Sequence, residues 1–288
     1  MNRLKILFLG AGIAGSVLSG CRKHDWVTVP NGRDKCEIVS ASSVRLSNES
    51  DTELDLFKKT FAPGTYKLTS LFAFYRNSAG GPAYPEIAES FPVSYEGQKM
   101  IVRKNASETV SFFFDNSGDV VKAINAQFGA SYEYKFVRSG GKLSKIMQRY
   151  SFDGFTDEWT DFYKVNYDAS KKNVVRETLG TDEVITYTHN NSKKVKGQFL
   201  ADQTYGDSFY FLALVKYLNL CPELRSENLI TKMTVVSASY PGDYQTVYSG
   251  HVIDGGGKVT SYHARATYAG DTDPFDDYDW NLSWSCLK

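Results

Sequence analysis

The feature that most limits what this chain can become is a strand–turn–strand unit that recurs from its middle to its C-terminal third. Five polar turns, at Asp115–Val120, Arg138–Leu143, Asp168–Val174, Asn190–Val195 and Asp254–Val259, each follow an aromatic-rich strand-like run and lead into another. Their starts lie 23, 30, 22 and 64 residues apart, so strand pairs recur without a fixed period. Asp or Asn opens four of the five, where its side chain can bond the backbone two residues on. Gly stands fourth in three of them (Gly118, Gly141, Gly257), a place that often needs positive φ. Strict alternation is clearest at Tyr132, Tyr134 and Phe136 and at Tyr163, Val165 and Tyr167. Aromatic residues make up 14% of the chain, which favours strands. The expected fold is mainly β: an antiparallel β-meander forming a curved sheet or a barrel-like domain with one short helix. Open sheet and closed barrel both satisfy this pattern.

Other strand-like runs are Cys36–Val39, Tyr66–Tyr75 and Lys99–Val102. One segment departs from the pattern. Asp207 is placed to cap a helix from Ser208 to about Leu220, and Phe209, Phe211, Leu212, Leu214, Val215, Leu218 and Leu220 make that stretch apolar on most sides. Such a segment is normally buried, so it is expected to plug one face or end of the sheet, as a helix or a buried strand pair.

The N-terminus carries an address. Arg3 and Lys5 precede an uncharged stretch, Ile6–Leu18, of 13 residues. That is a secretory hydrophobic region, short of the ~20 residues a membrane-spanning helix needs. Leu18-Ser19-Gly20-Cys21 then resembles the bacterial lipobox, which implies cleavage before Cys21 and lipidation of its thiol. The expected organisation is a lipoprotein signal peptide over 1–20, lipidated Cys21 with a tether over 21–35, and a single antiparallel β domain over 36–288. Gly10-Ala-Gly12-Ile-Ala-Gly15 also fits a dinucleotide fingerprint. However, Val29 is followed by Pro30 and Asn31 instead of a ribose-binding acid, and no βα alternation follows. The residues after Cys21 lack an Asp at the second position, which favours the outer membrane. Whether the domain faces the periplasm or the exterior is open.

Without the signal peptide the chain has 31 basic and 33 acidic residues, which offers no electrostatic case for nucleic acid. With Cys21 lipidated, Cys36, Cys221 and Cys286 allow one disulfide and leave one thiol, and no CxxC motif is present.

The lipobox, tether, aromatic hairpins, apolar segment before Pro222 and Ser226-Glu227-Asn228-Leu229-Ile230 together resemble uncharacterised surface lipoproteins of gut Bacteroidota with a porin-like β fold. The turn motif also resembles that of YD-repeat proteins. The resemblance covers roughly residues 60–288 and implies a soluble or lipid-anchored curved sheet, not a channel; it carries no catalytic residues.

Candidate chemistry is sparse. Asp153, Asp157, Glu158 and Asp161 surround Phe155 and Trp159, an arrangement with the residue types of a glycoside hydrolase. Trp159 and Trp280 are candidate sugar-stacking platforms. Asp271, Asp273, Asp276 and Asp277 supply oxygen ligands suited to calcium but lack the EF-hand order. His251 and His263 flank the Asp254 turn, and alternation places them on opposite faces, which argues against a shared metal. No P-loop, HExxH or nucleophile-elbow motif appears, and no cofactor is implied. The expected function is a non-enzymatic envelope role, structural or binding a glycan or protein partner, with a secreted glycoside hydrolase as the alternative.

Overall fold

The computed structural model describes residues 36–45, 53–62, 67–75, 87–200, 211–238 and 242–286. The signal peptide, Cys21, the tether to residue 35 and the Asp207 cap lie outside the described residues.

The strands are β1 (Cys36–Arg45), β2 (Glu53–Phe61), β3 (Leu68–Tyr75), β4 (Ile87–Glu96), β5 (Lys99–Arg103), β6 (Glu108–Phe114), β7 (Val120–Gln127), β8 (Ala130–Ser139) and β9 (Lys142–Phe152). Then come the two-residue β10 (Phe155–Thr156), β11 (Thr160–Tyr167), β12 (Val174–Leu179), β13 (Glu183–Lys194), β14 (Asn228–Ser237), β15 (Tyr244–Ile253), β16 (Val259–Tyr268) and β17 (Asp276–Cys286). Each strand pairs antiparallel with its sequence neighbour, and β9 pairs with β11 as well as with β10. β1 pairs along its length with β17, so the sheet closes on itself. With β10 a mere extension of one hairpin, the result is a closed 16-strand barrel. Closure removes the exposed strand edges that an open sheet would present. Cys286 is disulfide-bonded, and Cys36 stands opposite it in the β1–β17 register. Cys221 is a buried free thiol.

The turn chemistry is as the sequence predicts at four of the five repeats. Asp115 accepts hydrogen bonds from the backbone of Ser117 and Asp119, and Asp254 does the same for Gly256 and Lys258. Gly118, Gly141 and Gly257 all have positive φ. The Asn190 repeat differs. It is no hairpin turn but a wide bulge inside β13, where Asn190 and Lys194 pair with the consecutive residues Leu229 and Asn228. The strand resumes pairing because the chain does not turn back there; it enters the barrel.

That entry is the fold's main surprise. Residues 195–227 link β13 to β14 and include a helix, α1 (Phe211–Tyr217), and a 3-10 turn at Pro222–Leu224. The described part of the helix ends at Tyr217, short of Leu220, and buries every residue except Lys216. The segment touches staves all around the ring. Gly197 lies against the Trp284 ring of β17, and Phe199 packs on Phe57 of β2. Phe211 packs on Phe112 of β6, Tyr134 and Phe136 of β8 and Phe162 of β11. Lys216 pairs with Glu177 of β12, and Gln198 exchanges two hydrogen bonds with the Ile230 backbone of β14. Only an element inside the barrel can contact strands on all sides of it. A barrel of 16–18 strands is wide enough to leave an aqueous channel; here the described parts of the connection lie within it.

The strand faces agree. Tyr134, Phe136, Tyr163 and Val165 are buried, while Lys135 and Lys164 between them are exposed. Both lysines therefore point outward. Their neighbours on the outer wall are also charged: Lys122 and Arg149 pair with Glu133, Lys145 and Lys164 with Asp161, and His263 with Asp277 and Asp279. A membrane-spanning barrel needs an apolar outer band. Among the described residues this one carries these charged pairs outside, beside exposed Val121, Val236 and Val247, and its large aromatic residues within.

Candidate functional site

Antiparallel order sends alternate connections to opposite ends. One end collects the turns after β4, β6, β8, β11 and β15, the β13 exit, the start of β1 and the end of β17. All five repeats singled out in the sequence therefore lie at one end, because each is separated from the next by an even number of staves. We call this the turn end.

A cavity of about 840 Å³ opens there. Its apolar lining comes from the strand ends and the plug: Phe61, Leu68, Met100, Phe114, Leu218 and Leu220. Its charged lining is lopsided. Lys59, Lys142, Lys172, Lys194, Lys196 and Arg225 face three carboxylates. Each of those three is already in an ion pair: Glu37 with Lys59 at 2.8 Å, Glu223 with Arg138 at 3.1 Å and Glu227 with Lys172 at 3.5 Å. Arg225 lies over the Trp284 ring and Lys142 over that of Tyr167. Lys59 is 6% exposed. Burial pushes its amine below the ordinary lysine value and the Glu37 charge pulls it back. The Tyr95 phenol, also in the wall, is raised by burial and by Glu37, which keeps it a neutral group.

A simple sequence signal marks this rim. The fifth residue of four of the five repeats is lysine: Lys142, Lys172, Lys194 and Lys258. The period that stacks the turns at one end stacks these charges with them. The opposite end is acidic. Its described connections carry Asp153, Asp157, Glu158, Asp182, Asp243, Asp271 and Asp273 against the single base Lys104. The turns at the cavity end also carry Asp115, Asp119, Asp168 and Asp254, so the positive surplus there belongs to the cavity lining and not to the whole end.

The Asp168 turn supports the rim. Its carboxylate accepts from the Lys172 backbone, the Ser170 hydroxyl and the Asn173 amide at 2.7–2.9 Å. Partial burial opposes the charged form, but these bonds outweigh it and draw the pKa down to about 2. The unfolded chain, with an aspartate pKa of about 4, binds the proton first as pH falls. The turn's stabilisation is therefore complete above about pH 4 and lost as pH drops towards about 2. Urea midpoints measured across that interval are expected to fall less steeply for Asp168→Asn than for the parent.

The residues expected from sequence to bind glycan or calcium are not at this cavity. Trp280 is 1% exposed and faces inward, where it lines a small space apart from the cavity. Trp159 lies at the acidic end with the Arg149 guanidinium 4.7 Å over its ring, so that face is taken. Asp157 and Glu158 are exposed, and Asp161 is tied to Lys145 and Lys164; the three do not converge on a pocket. Asp271 and Asp273 are exposed, Asp277 pairs with His263, and Asp276 lines a separate space of about 180 Å³. Among the described residues no three His, Cys, Asp or Glu side chains gather to hold a metal. The β15–β16 register sets Ile253 opposite Val259 and includes bulges. His251 stacks on buried Tyr262 while His263 sits between carboxylates on the outer wall.

The closed barrel and its inserted plug can now be set against known structures. A porin-like protein from Bacteroides uniformis superposes with a TM-score of 0.58 at 15% identity, over 90% of this chain and 99% of that one. A second, from Bacteroides vulgatus, gives 0.52 at 14% identity, over 87% and 100%. The fold is porin-like. The sequence matches no protein-family profile and no curated protein. Within the porin-like architecture, this chain's described residues place charged pairs on the outer wall and the β13–β14 connection inside the ring.

Proposed function

We propose that the chain is a non-enzymatic envelope lipoprotein, anchored through lipid at Cys21, whose porin-like barrel is a binding module and not a conduit. The observation that carries this reading is the turn-end cavity: it is a space of about 840 Å³ beside a connection that runs inside the ring of strands, in a barrel that carries charged pairs on its outer wall. Its volume lies within the range of small-molecule sites, and its mixed apolar and cationic lining suits binding. The chain begins its barrel at Cys36 on the same end, so a tether over 21–35 leaves from beside the cavity. The hydrolase alternative loses its support because the acidic cluster is dispersed and faces solvent.

Metabolic labelling with an alkyne palmitate analogue tests the anchor. The parent is expected to label and Cys21→Ala to lose the label and leave the membrane fraction. Equal absence of label in both would refute the lipoprotein reading.

A further inference from the structure

We propose that the turn-end cavity holds an amphiphilic anion, an acyl chain with a carboxylate or phosphate head, taken from the membrane against which the tether holds it. This deepens the binding reading above and rests on it. The two halves of the lining ask for two halves of a ligand. Leu68, Met100 and Leu218 form a buried apolar surface that a fully polar ligand would leave without a partner. Lys194 and Lys196 stand exposed at the rim, and the three nearby carboxylates are each engaged by other bases. An anionic head at this mouth meets a surplus of positive charge; a neutral glycan or a cation does not. A folded protein partner is too large to enter about 840 Å³.

The placement of the cavity argues for a membrane source. The fourteen residues from 22 to 35 span at most about 50 Å when fully extended. They join the barrel at Cys36, one residue from Glu37 in the cavity wall. A lipid at Cys21 therefore holds the cavity end, with its surplus of lining bases, near the bilayer and leaves the acidic end to point away. Bases close to an anionic surface are attracted to it, which favours the same orientation.

The test uses the full lipidated chain in phosphatidylcholine vesicles, with empty vesicles as blanks, titrated with 11-(dansylamino)undecanoate. Saturable, blue-shifted emission is expected. Laurate and dodecyl phosphate should displace the probe, and acetate, inorganic phosphate and dodecyltrimethylammonium should not. Lys194→Glu combined with Lys196→Glu, both at exposed positions, should weaken binding about tenfold without altering the thermal melt. No saturable signal, equal displacement by the cationic amphiphile, or unchanged affinity in the double variant would overturn the site. Adding phosphatidylglycerol to the vesicles separates the sources. A weakened apparent probe affinity in the parent supports a bilayer lipid as occupant, and an unchanged affinity overturns the membrane as its source. If the protein proves to carry no lipid, the same titration in free solution keeps the two questions apart: binding there upholds the site and removes the orientation, and no binding removes the site itself.

Discussion

Phe211→Ala is expected to lower the unfolding free energy by about 3–5 kcal/mol, among the largest single-residue effects in this barrel. Phe211 is 2% exposed and belongs to the helix that sits inside the ring. Its ring stacks on Tyr134 with centroids 3.6 Å apart and touches Phe112, Phe136 and Phe162 within 6.2 Å. Truncation removes these contacts and leaves a cavity among staves that are fixed by their own backbone pairing, so the site has little freedom to collapse. Chemical denaturation followed by far-ultraviolet circular dichroism checks the value. Substitutions on the outer wall, such as Lys135→Ala, should change stability by no more than about 0.5 kcal/mol.

Glu223→Ala is the second large effect, an expected loss of about 3–5 kcal/mol. Glu223 follows Pro222 in the plug's 3-10 turn and pairs with Arg138 at the end of β8, with side chains 4% and 15% exposed. Arg138 also donates to the Val120 carbonyl and approaches the Cys221 thiol. Removing the carboxylate leaves a guanidinium in a largely dehydrated place with its main counter-charge gone. The double change Arg138→Met with Glu223→Leu removes both charges and should recover most of the loss, because a buried pair contributes far less than a broken one costs. A double-mutant cycle in urea reads the coupling directly.

The strand alternation at Tyr132–Phe136 and Tyr163–Tyr167 made the β-meander legible, and Asp115, Asp168 and Asp254 made its turns legible. Closure was not, because it depends on β1 meeting β17 across almost the whole chain, and neither strand alone encodes that partner. The Asn190 repeat misled for a physical reason. Asn-Asn-Ser serves a bulge as well as a turn, since both need side chains that bond local backbone. The plug's apolar character was readable from Phe211 to Leu220, but its place inside the ring required the ring to be closed. Trp280 looked like a platform because an aromatic between polar neighbours on a strand reads the same whether its face is wet or buried. The lysine-rich rim was present in plain view as the fifth residue of four repeats. It acquires meaning only when strand order brings those turns to one end.

A barrel whose outer wall faces water and whose lumen holds the β13–β14 connection needs no detergent; sedimentation velocity on residues 22–288, purified without it, tests this together with a thermal melt. The prediction is a monodisperse β-rich particle with a cooperative transition and no change in mass on adding mild detergent. A chain that stays dispersed only inside a bound detergent belt would contradict it.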